Sequence, residues 1–84
     1  MKILHIIREI GDERALETAQ AHALEHEVTV VLLQDAVLGR LPSKGEVYAC
    51  REDLEARGGR HGVKEVEYRE LVRMIFGHER VVMW

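Results

Sequence analysis

The apolar residues of the chain cluster in short runs with polar turns between them. Residues 2–7 are rich in isoleucine and leucine, and residues 28–33 are nearly all apolar and rich in β-branched side chains. Runs of this length are typical of strands that are covered on both faces of a parallel sheet. They predict a first strand over 2–7 and a central strand over 28–33. Further strands are predicted at 46–50 and 81–84, and residues 63–66 form either a weak strand or an extended connection.

Between these runs, apolar residues recur at the three- and four-residue spacing of helices. A helix is predicted from about Asp12, a good N-cap residue, to Glu25. Three more helical segments are predicted: a short turn over 35–38, a brief helix over 51–57 and an amphipathic helix over 68–77. Tyr68, Phe76 and the aliphatic residues of the last helix are predicted to belong to the core.

The alternation of strands and helices predicts an α/β fold. A chain of 84 residues has room for one domain, which we expect to span residues 1–84. Alternating elements produce right-handed crossovers and a parallel sheet with helices on both faces. We therefore expect a small three-layer sandwich with a mainly parallel sheet of four to five strands.

Composition and charge narrow the classes of function. Twelve basic and fifteen acidic residues give a net charge of -3, so no positive field favours direct binding of nucleic acid. No apolar run approaches the ~20 residues that a membrane-spanning helix needs, and the start of the chain lacks the cleavage pattern of a secretory leader. A single cysteine cannot form an internal disulfide. We therefore expect a cytoplasmic protein that binds neither membranes nor nucleic acid directly.

The carboxyl ends of the predicted strands define one edge of the sheet, where ligands of open α/β sheets bind. That edge should carry Gln34, Asp35, Cys50, Arg51 and Trp84. Cys50 stands where a strand meets a helix, and the helix N–H groups and the Arg51 guanidinium would lower the pKa of its thiol. The carboxylates of Glu52 and Asp53 would raise that pKa. The sequence leaves open whether the pKa of the Cys50 thiol is raised or lowered. It also leaves open the alternative that Cys50 is a small buried apolar residue.

Other chemistries find little support in the sequence. His22 and His26 are one helical turn apart, which suits two corners of a metal site, but no third ligand is close and a solvated helix face is the simpler interpretation. The glycine-rich segment 58–62 lacks the lysine-threonine ending of a phosphate loop. Ser43, the only serine, lies in a proline turn, so no serine-based catalytic set can form. We expect no metal and no cofactor.

Several segments together resemble one family. They are Val31-Leu32-Leu33-Gln34-Asp35, Val47-Tyr48-Ala49, Glu52-Asp53-Leu54-Glu55-Ala56-Arg57-Gly58, Glu67-Tyr68 with Leu71-Val72, and Val81-Val82-Met83-Trp84. Over nearly the whole chain this set is similar to the DsrH/TusB family of the DsrE/DsrF/DsrH superfamily. The resemblance implies a flavodoxin-like α/β fold, a cytoplasmic location and a part in sulfur relay.

In that relay, persulfide sulfur passes from a cysteine desulfurase through carrier proteins. The resemblance implies a route that ends in 2-thiolation of the tRNA wobble uridine, or in dissimilatory sulfur metabolism in sulfur-oxidising organisms. It also implies assembly with DsrE/TusD-like and DsrF/TusC-like proteins, and exchange with an upstream persulfide donor and a downstream acceptor protein. A second copy of the same chain is the other partner to consider.

Cys50 departs from the TusB pattern, which commonly has an aliphatic residue there, whereas the DsrE/TusD branch has its sulfur-accepting cysteine at the equivalent strand end. The first hypothesis is a sulfur-relay protein with Cys50 as persulfide carrier, supported by Gln34, Asp35, Arg51 and Asp53, with Trp84 at an interface. The alternative is a non-catalytic structural subunit of a DsrEFH/TusBCD-type complex with Cys50 inert. A flavodoxin-like domain that binds a small molecule is disfavoured, because the chain lacks the phosphate loop of a flavin mononucleotide site.

Overall fold

The computed structural model describes all 84 residues. Five strands and three α-helices alternate along the chain, with one 3₁₀ helix after the second strand. In chain order the elements are β1 (Lys2–Ile7), α1 (Glu13–His22), β2 (Glu27–Leu32), the 3₁₀ helix (Gln34–Leu38), β3 (Glu46–Cys50), α2 (Arg51–Ala56), β4 (Lys64–Val66), α3 (Tyr68–Gly77) and β5 (Arg80–Met83). None of the helices combines the length and the apolar character that crossing a membrane requires.

All five strands lie in one parallel sheet with the order β4-β3-β2-β1-β5. The aliphatic run at 28–33 supplies the central strand, as predicted, because two strands lie on either side of β2. The segment at 63–66 forms β4, an edge strand of three residues. The predicted α/β sandwich, with a parallel sheet of four to five strands and helices on both faces, is confirmed.

Alternating side chains of β1 divide the core into two layers. Ile3 and Ile7 pack with α1, the 3₁₀ helix and α2, whereas Leu4 packs with α3 on the opposite face. All three are at most 2% exposed. On the first face Ala15 and Ala19 of α1 are fully buried, and their small side chains let the helix approach the sheet closely.

The predicted start of α1 is confirmed, and its predicted end is too late. Asp12 caps the helix, because its carboxylate accepts a hydrogen bond from the backbone N–H of Ala15 at 3.1 Å. The helix ends at His22 rather than at Glu25. The backbone N–H of Leu24 bonds three residues back instead of four, which tightens the chain into a turn ahead of β2.

The prediction that α3 buries its aromatic and aliphatic residues is wrong for most of them. Leu71 is buried, and Met74 packs beside it against the sheet. Val72 is 53% exposed and Phe76 is 85% exposed. The apolar arc of this helix is wider than the flank that meets the sheet, so the remaining apolar side chains face solvent.

The turn into β3 requires a glycine at position 45. Gly45 has a φ of +91°, and a Cβ atom there would lie 3.0 Å from the backbone carbonyl oxygen of Val28. A side chain would therefore meet both backbone strain and a close contact with β2. This turn fixes where β3 begins, and β3 ends at Cys50.

Candidate functional site

Cys50 lies at the junction where the sequence predicts it. It is the last residue of β3 and the N-cap residue of α2. Its side chain is 1% exposed and belongs to the core layer beneath α1 and α2. The thiol donates a hydrogen bond to Oε1 of Glu52 at 3.5 Å. The sulfur therefore lies just beneath the carboxyl edge of the sheet.

The surroundings raise the pKa of the Cys50 thiol. Burial is the largest cause, because a thiolate loses its hydration, and the carboxylates of Asp53 and Glu52 act in the same direction. The backbone N–H of Asp53 and the hydroxyl of Tyr68 oppose this increase, because donors favour the thiolate. The balance favours the protonated thiol, which answers the question that the sequence leaves open.

Asp53 is the centre of the polar contacts beside Cys50. Its Oδ2 accepts a hydrogen bond from the backbone N–H of Gln34 at 2.7 Å, and its Oδ1 accepts one from the hydroxyl of Tyr68 at 2.7 Å. Nη1 of Arg57 lies 3.7 Å from the same Oδ1. Burial alone would raise the pKa of Asp53, but these donors, with the Cys50 thiol, outweigh burial and lower it. The same carboxylate raises the pKa of the Tyr68 hydroxyl.

Gln34 and Asp35 join this group from the end of β2. Gln34 has a φ of +51° and is the one non-glycine residue with left-handed backbone. Its N–H is held by Asp53, which stabilises that conformation. Asp35 accepts a hydrogen bond from Nε of Arg57 at 2.9 Å. Three of the predicted rim residues therefore come together beside Cys50.

Arg51 does not join this group. Its guanidinium donates to Glu65 at 3.1 Å and to Glu67 at 2.7 Å, so its charge is directed at those carboxylates. Arg57 and Tyr68 contact Asp53 instead, and the sequence analysis missed both. The four-residue spacing of Asp53 and Arg57 on a helix was a usable signal for that pair. Tyr68 had none, because its contact joins residues from separate elements.

Trp84 lies at the other end of the sheet, beyond β5. Its strand is separated from β3 by β1 and β2, so Trp84 does not shape the surroundings of Cys50. Its backbone carbonyl accepts a hydrogen bond from Nε of Arg8 at 2.8 Å, and its indole Nε1 donates to Nδ1 of His5 at 3.0 Å. The strand order reverses between β1 and β5, which is where open sheets bind ligands, and Trp84 packs over this point. An interface role for Trp84 stays a prediction.

No group of three or more histidine, cysteine, aspartate or glutamate side chains is arranged to hold a metal ion. The rings of His22 and His26 meet edge to face with centroids 6.4 Å apart. Nδ1 of His22 lies 3.0 Å from Nε2 of His5, inside the fold. The interpretation of this pair as a solvated helix face is therefore wrong for His22, because β1 supplies a polar partner that the helix pattern could not reveal.

Comparison with known proteins supports the fold. No family model and no curated protein matches the chain. Among solved structures, the ychN protein from E. coli superimposes with a TM-score of 0.81 at 21% sequence identity, and the match covers 100% of this chain and 99% of that chain. The chain is thus a small flavodoxin-like α/β protein. Membership in the DsrE/DsrF/DsrH superfamily, and within it in the DsrH/TusB family, stays a prediction that rests on the sequence resemblance.

Proposed function

We propose that this protein takes part in persulfide sulfur relay as a DsrH/TusB-like subunit, with Cys50 as the sulfur-accepting residue. The observation that carries the proposal is the position of the thiol, at the carboxyl end of β3 and the N-terminus of α2. The resemblance of the sequence to the DsrH/TusB family supplies the chemistry. The fold, which agrees with that of the superfamily, is consistent with it.

The proposed step is a thiol exchange. The Cys50 thiolate attacks the outer sulfur of a donor cysteine persulfide, so that a bond forms to Sγ while the sulfur–sulfur bond of the donor breaks. The donor leaves as a thiolate and takes up a proton, and Cys50 carries the persulfide. A thiol of an acceptor protein then repeats the exchange on Cys50, so the relay needs no oxidant or reductant.

The residues around Cys50 have specific parts in this step. Oε1 of Glu52, 3.5 Å from the sulfur, is placed to accept the thiol proton. The backbone N–H of Asp53 and the hydroxyl of Tyr68 are donors that favour the thiolate, and the hydroxyl would turn from Asp53 to reach the sulfur. Because the side chain is 1% exposed, a persulfide donor reaches the sulfur only after the residues that bury it move.

Intact-protein mass spectrometry tests the proposal. The protein is incubated with a cysteine desulfurase and cysteine, and the expected result is a gain of one sulfur that a reductant removes and that maps to Cys50. Cys50→Ser should abolish the gain. The matched control is the double variant Cys50→Ser/Ser43→Cys, which moves the single thiol to an exposed turn. If the protein gains no sulfur from a desulfurase that does load another carrier protein, the proposal is contradicted. If the double variant gains sulfur as readily as the unmodified protein, the role of the surroundings of Cys50 is contradicted.

The route and the partners form the finer part of the proposal. We assign the relay to tRNA wobble uridine 2-thiolation, with DsrE/TusD-like and DsrF/TusC-like proteins as partners. Deleting the gene should lower the 2-thiouridine content of tRNA, measured by nucleoside mass spectrometry. Native mass spectrometry after co-expression should give a mixed complex. An assembly of this chain alone would indicate a homo-oligomer instead.

A second candidate is a non-catalytic structural subunit of such a complex, with Cys50 inert. Two observations favour it: the side chain is 1% exposed, and its pKa is raised. Alkylation by iodoacetamide separates the candidates, because a carrier thiol reacts in the folded protein and an inert core thiol reacts only on unfolding. The alkylation rate should be measured in the assembled complex as well, since docking of a partner can move the residues that bury the sulfur.

A further inference from the structure

A polar chain crosses an otherwise apolar part of the fold. His5 lies in the middle of β1 and is 0% exposed. Nε1 of Trp84 lies 3.0 Å from Nδ1 of His5, and Nε2 of His5 lies 3.0 Å from Nδ1 of His22. The Trp84 and His5 rings are also stacked, with 15° between their planes. We call these three residues the histidine–tryptophan chain.

Hydrogen-bond chemistry fixes where the protons of this chain lie. An indole N–H can only donate, so Nδ1 of His5 accepts and carries no proton. The proton of neutral His5 is then on Nε2, which donates to Nδ1 of His22. That nitrogen is therefore unprotonated too, and neutral His22 carries its proton on Nε2. Both hydrogen bonds are satisfied only while both histidines are neutral.

An added proton breaks the chain wherever it is placed. A charged His22 points an N–H at the N–H of His5. His5 can accept that bond only by moving its own proton to Nδ1, where it then faces the indole N–H of Trp84. One conflict between two donors remains in either arrangement, and a buried donor without an acceptor is unfavourable.

The groups around the chain do not compensate such a charge. The titratable and charged residues that face it are His22 and His26 from α1 and the turn after it, Arg80 from β5, and Arg8 from the end of β1. Within the sheet His5 is paired with Val30 of β2 and Val82 of β5, neither of which carries a charge. No carboxylate forms an ion pair with either His5 or His22. Burial lowers the pKa of His5 to about 4, and the nearby His22 and Arg80 contribute to this decrease.

We propose that the histidine–tryptophan chain is a proton-operated latch. While both histidines are neutral, the latch holds the Trp84 side chain against His5 on the face of the sheet that α1 covers. A proton that enters the chain breaks one of the two hydrogen bonds and releases the indole. The backbone N–H of Trp84 bonds to Ile6, and its carbonyl bonds to Arg8, so β5 stays paired while the side chain moves.

The fluorescence of Trp84, the one tryptophan of the chain, shows whether its side chain is held or released. The whole protein is titrated from about pH 8 to about pH 4.5, the range in which histidines gain protons. The expected result is a reversible shift of the emission maximum to longer wavelength while the far-UV circular dichroism stays constant. A constant maximum overturns the proposal, and so does a shift that coincides with loss of the helical signal.

Two variants assign the transition to this chain. His22→Asn places a carboxamide oxygen near the position of Nδ1, which is an acceptor that does not titrate. This variant is expected to lose the transition. His61→Asn changes an exposed histidine in the loop after α2 and is expected to keep it. An unchanged transition in His22→Asn overturns the proposal.

The ring nitrogens of the unmodified protein provide a second measurement if His22→Asn does not fold. Nitrogen NMR near neutral pH should show both Nδ1 atoms unprotonated and both Nε2 atoms protonated. A proton on Nδ1 of His5 would falsify the latch, because Trp84 could not then donate to it.

Discussion

Replacing Asp53 with alanine removes a buried carboxylate and two hydrogen bonds in one step. The backbone N–H of Gln34 and the hydroxyl of Tyr68 both lose an acceptor that lies at 2.7 Å. A hydrogen bond to a charged group contributes about 1.5–3 kcal/mol. Because Tyr68 is 43% exposed and its hydroxyl can turn to water, we place its share at the lower end. The two shares sum to an expected loss in the free energy of unfolding of about 3–4.5 kcal/mol.

That loss is large for a domain of this size. At about 0.05–0.15 kcal/mol per residue, the whole chain is stable by about 4–13 kcal/mol. Urea unfolding, followed by circular dichroism at neutral pH, measures the loss. Glu55→Ala is the matched control, because it removes an exposed carboxylate from the same helix and should change the free energy by less than about 0.5 kcal/mol.

A double-mutant cycle then isolates the contact between Asp53 and Tyr68. The single variants Asp53→Ala and Tyr68→Phe and their combination should give a coupling free energy of about 1–2 kcal/mol. The pKa of Asp53 is lowered in the fold, so its contribution is complete at neutral pH and is lost as the pH falls below the ordinary range of aspartate. An additive cycle, or a loss for Asp53→Ala no larger than that for Glu55→Ala, refutes the reasoning.

Three further outcomes are expected. The pKa of His5 falls from 6.5 to about 4 on folding, so between these pH values the unfolded chain binds more protons than the folded chain. The free energy of unfolding should therefore drop by about 3 kcal/mol as the pH falls across this range. A free energy that stays constant in urea unfolding at several pH values contradicts this. Gly45→Ala should lower stability by about 1–3 kcal/mol, whereas Gly77→Ala, with open space around it, should change it little in the same assay. The alkylation rate of Cys50 in the folded protein should keep rising above pH 9.0, because its pKa is raised above that value, and a plateau near neutral pH argues against the described surroundings.

Local patterns were enough to predict the elements and the architecture. The β-branched run at 28–33 predicts the central strand, and Asp12 predicts the start of α1, because both signals act within a few residues. The end of α1 and the exposed face of α3 were predicted wrongly. Both depend on how a helix meets the rest of the fold, and periodicity alone does not give the direction of the sheet.

The candidate site was predicted only in part for the same reason. The convergence of Gln34 and Asp53 follows from the common edge of parallel strands. The contact of Asp53 with Tyr68 joins the first turns of two helices, and no local pattern encodes it. His5 offered a signal that was not used, since a histidine inside an aliphatic strand needs polar partners. Those partners, His22 and Trp84, lie 17 and 79 residues away in the chain.

The strand order also sets the sequence of assembly. β1, α1 and β2 form the middle of the sheet from the first 32 residues, whereas the two edges come from the last third of the chain. Pairing β1 with β2 closes a short loop. Pairing β1 with β5 closes a loop that contains nearly the whole chain, which costs more conformational entropy. The centre can therefore form first and open last. Amide hydrogen exchange should be slowest in β1 and β2 and fastest in the three-residue strand β4.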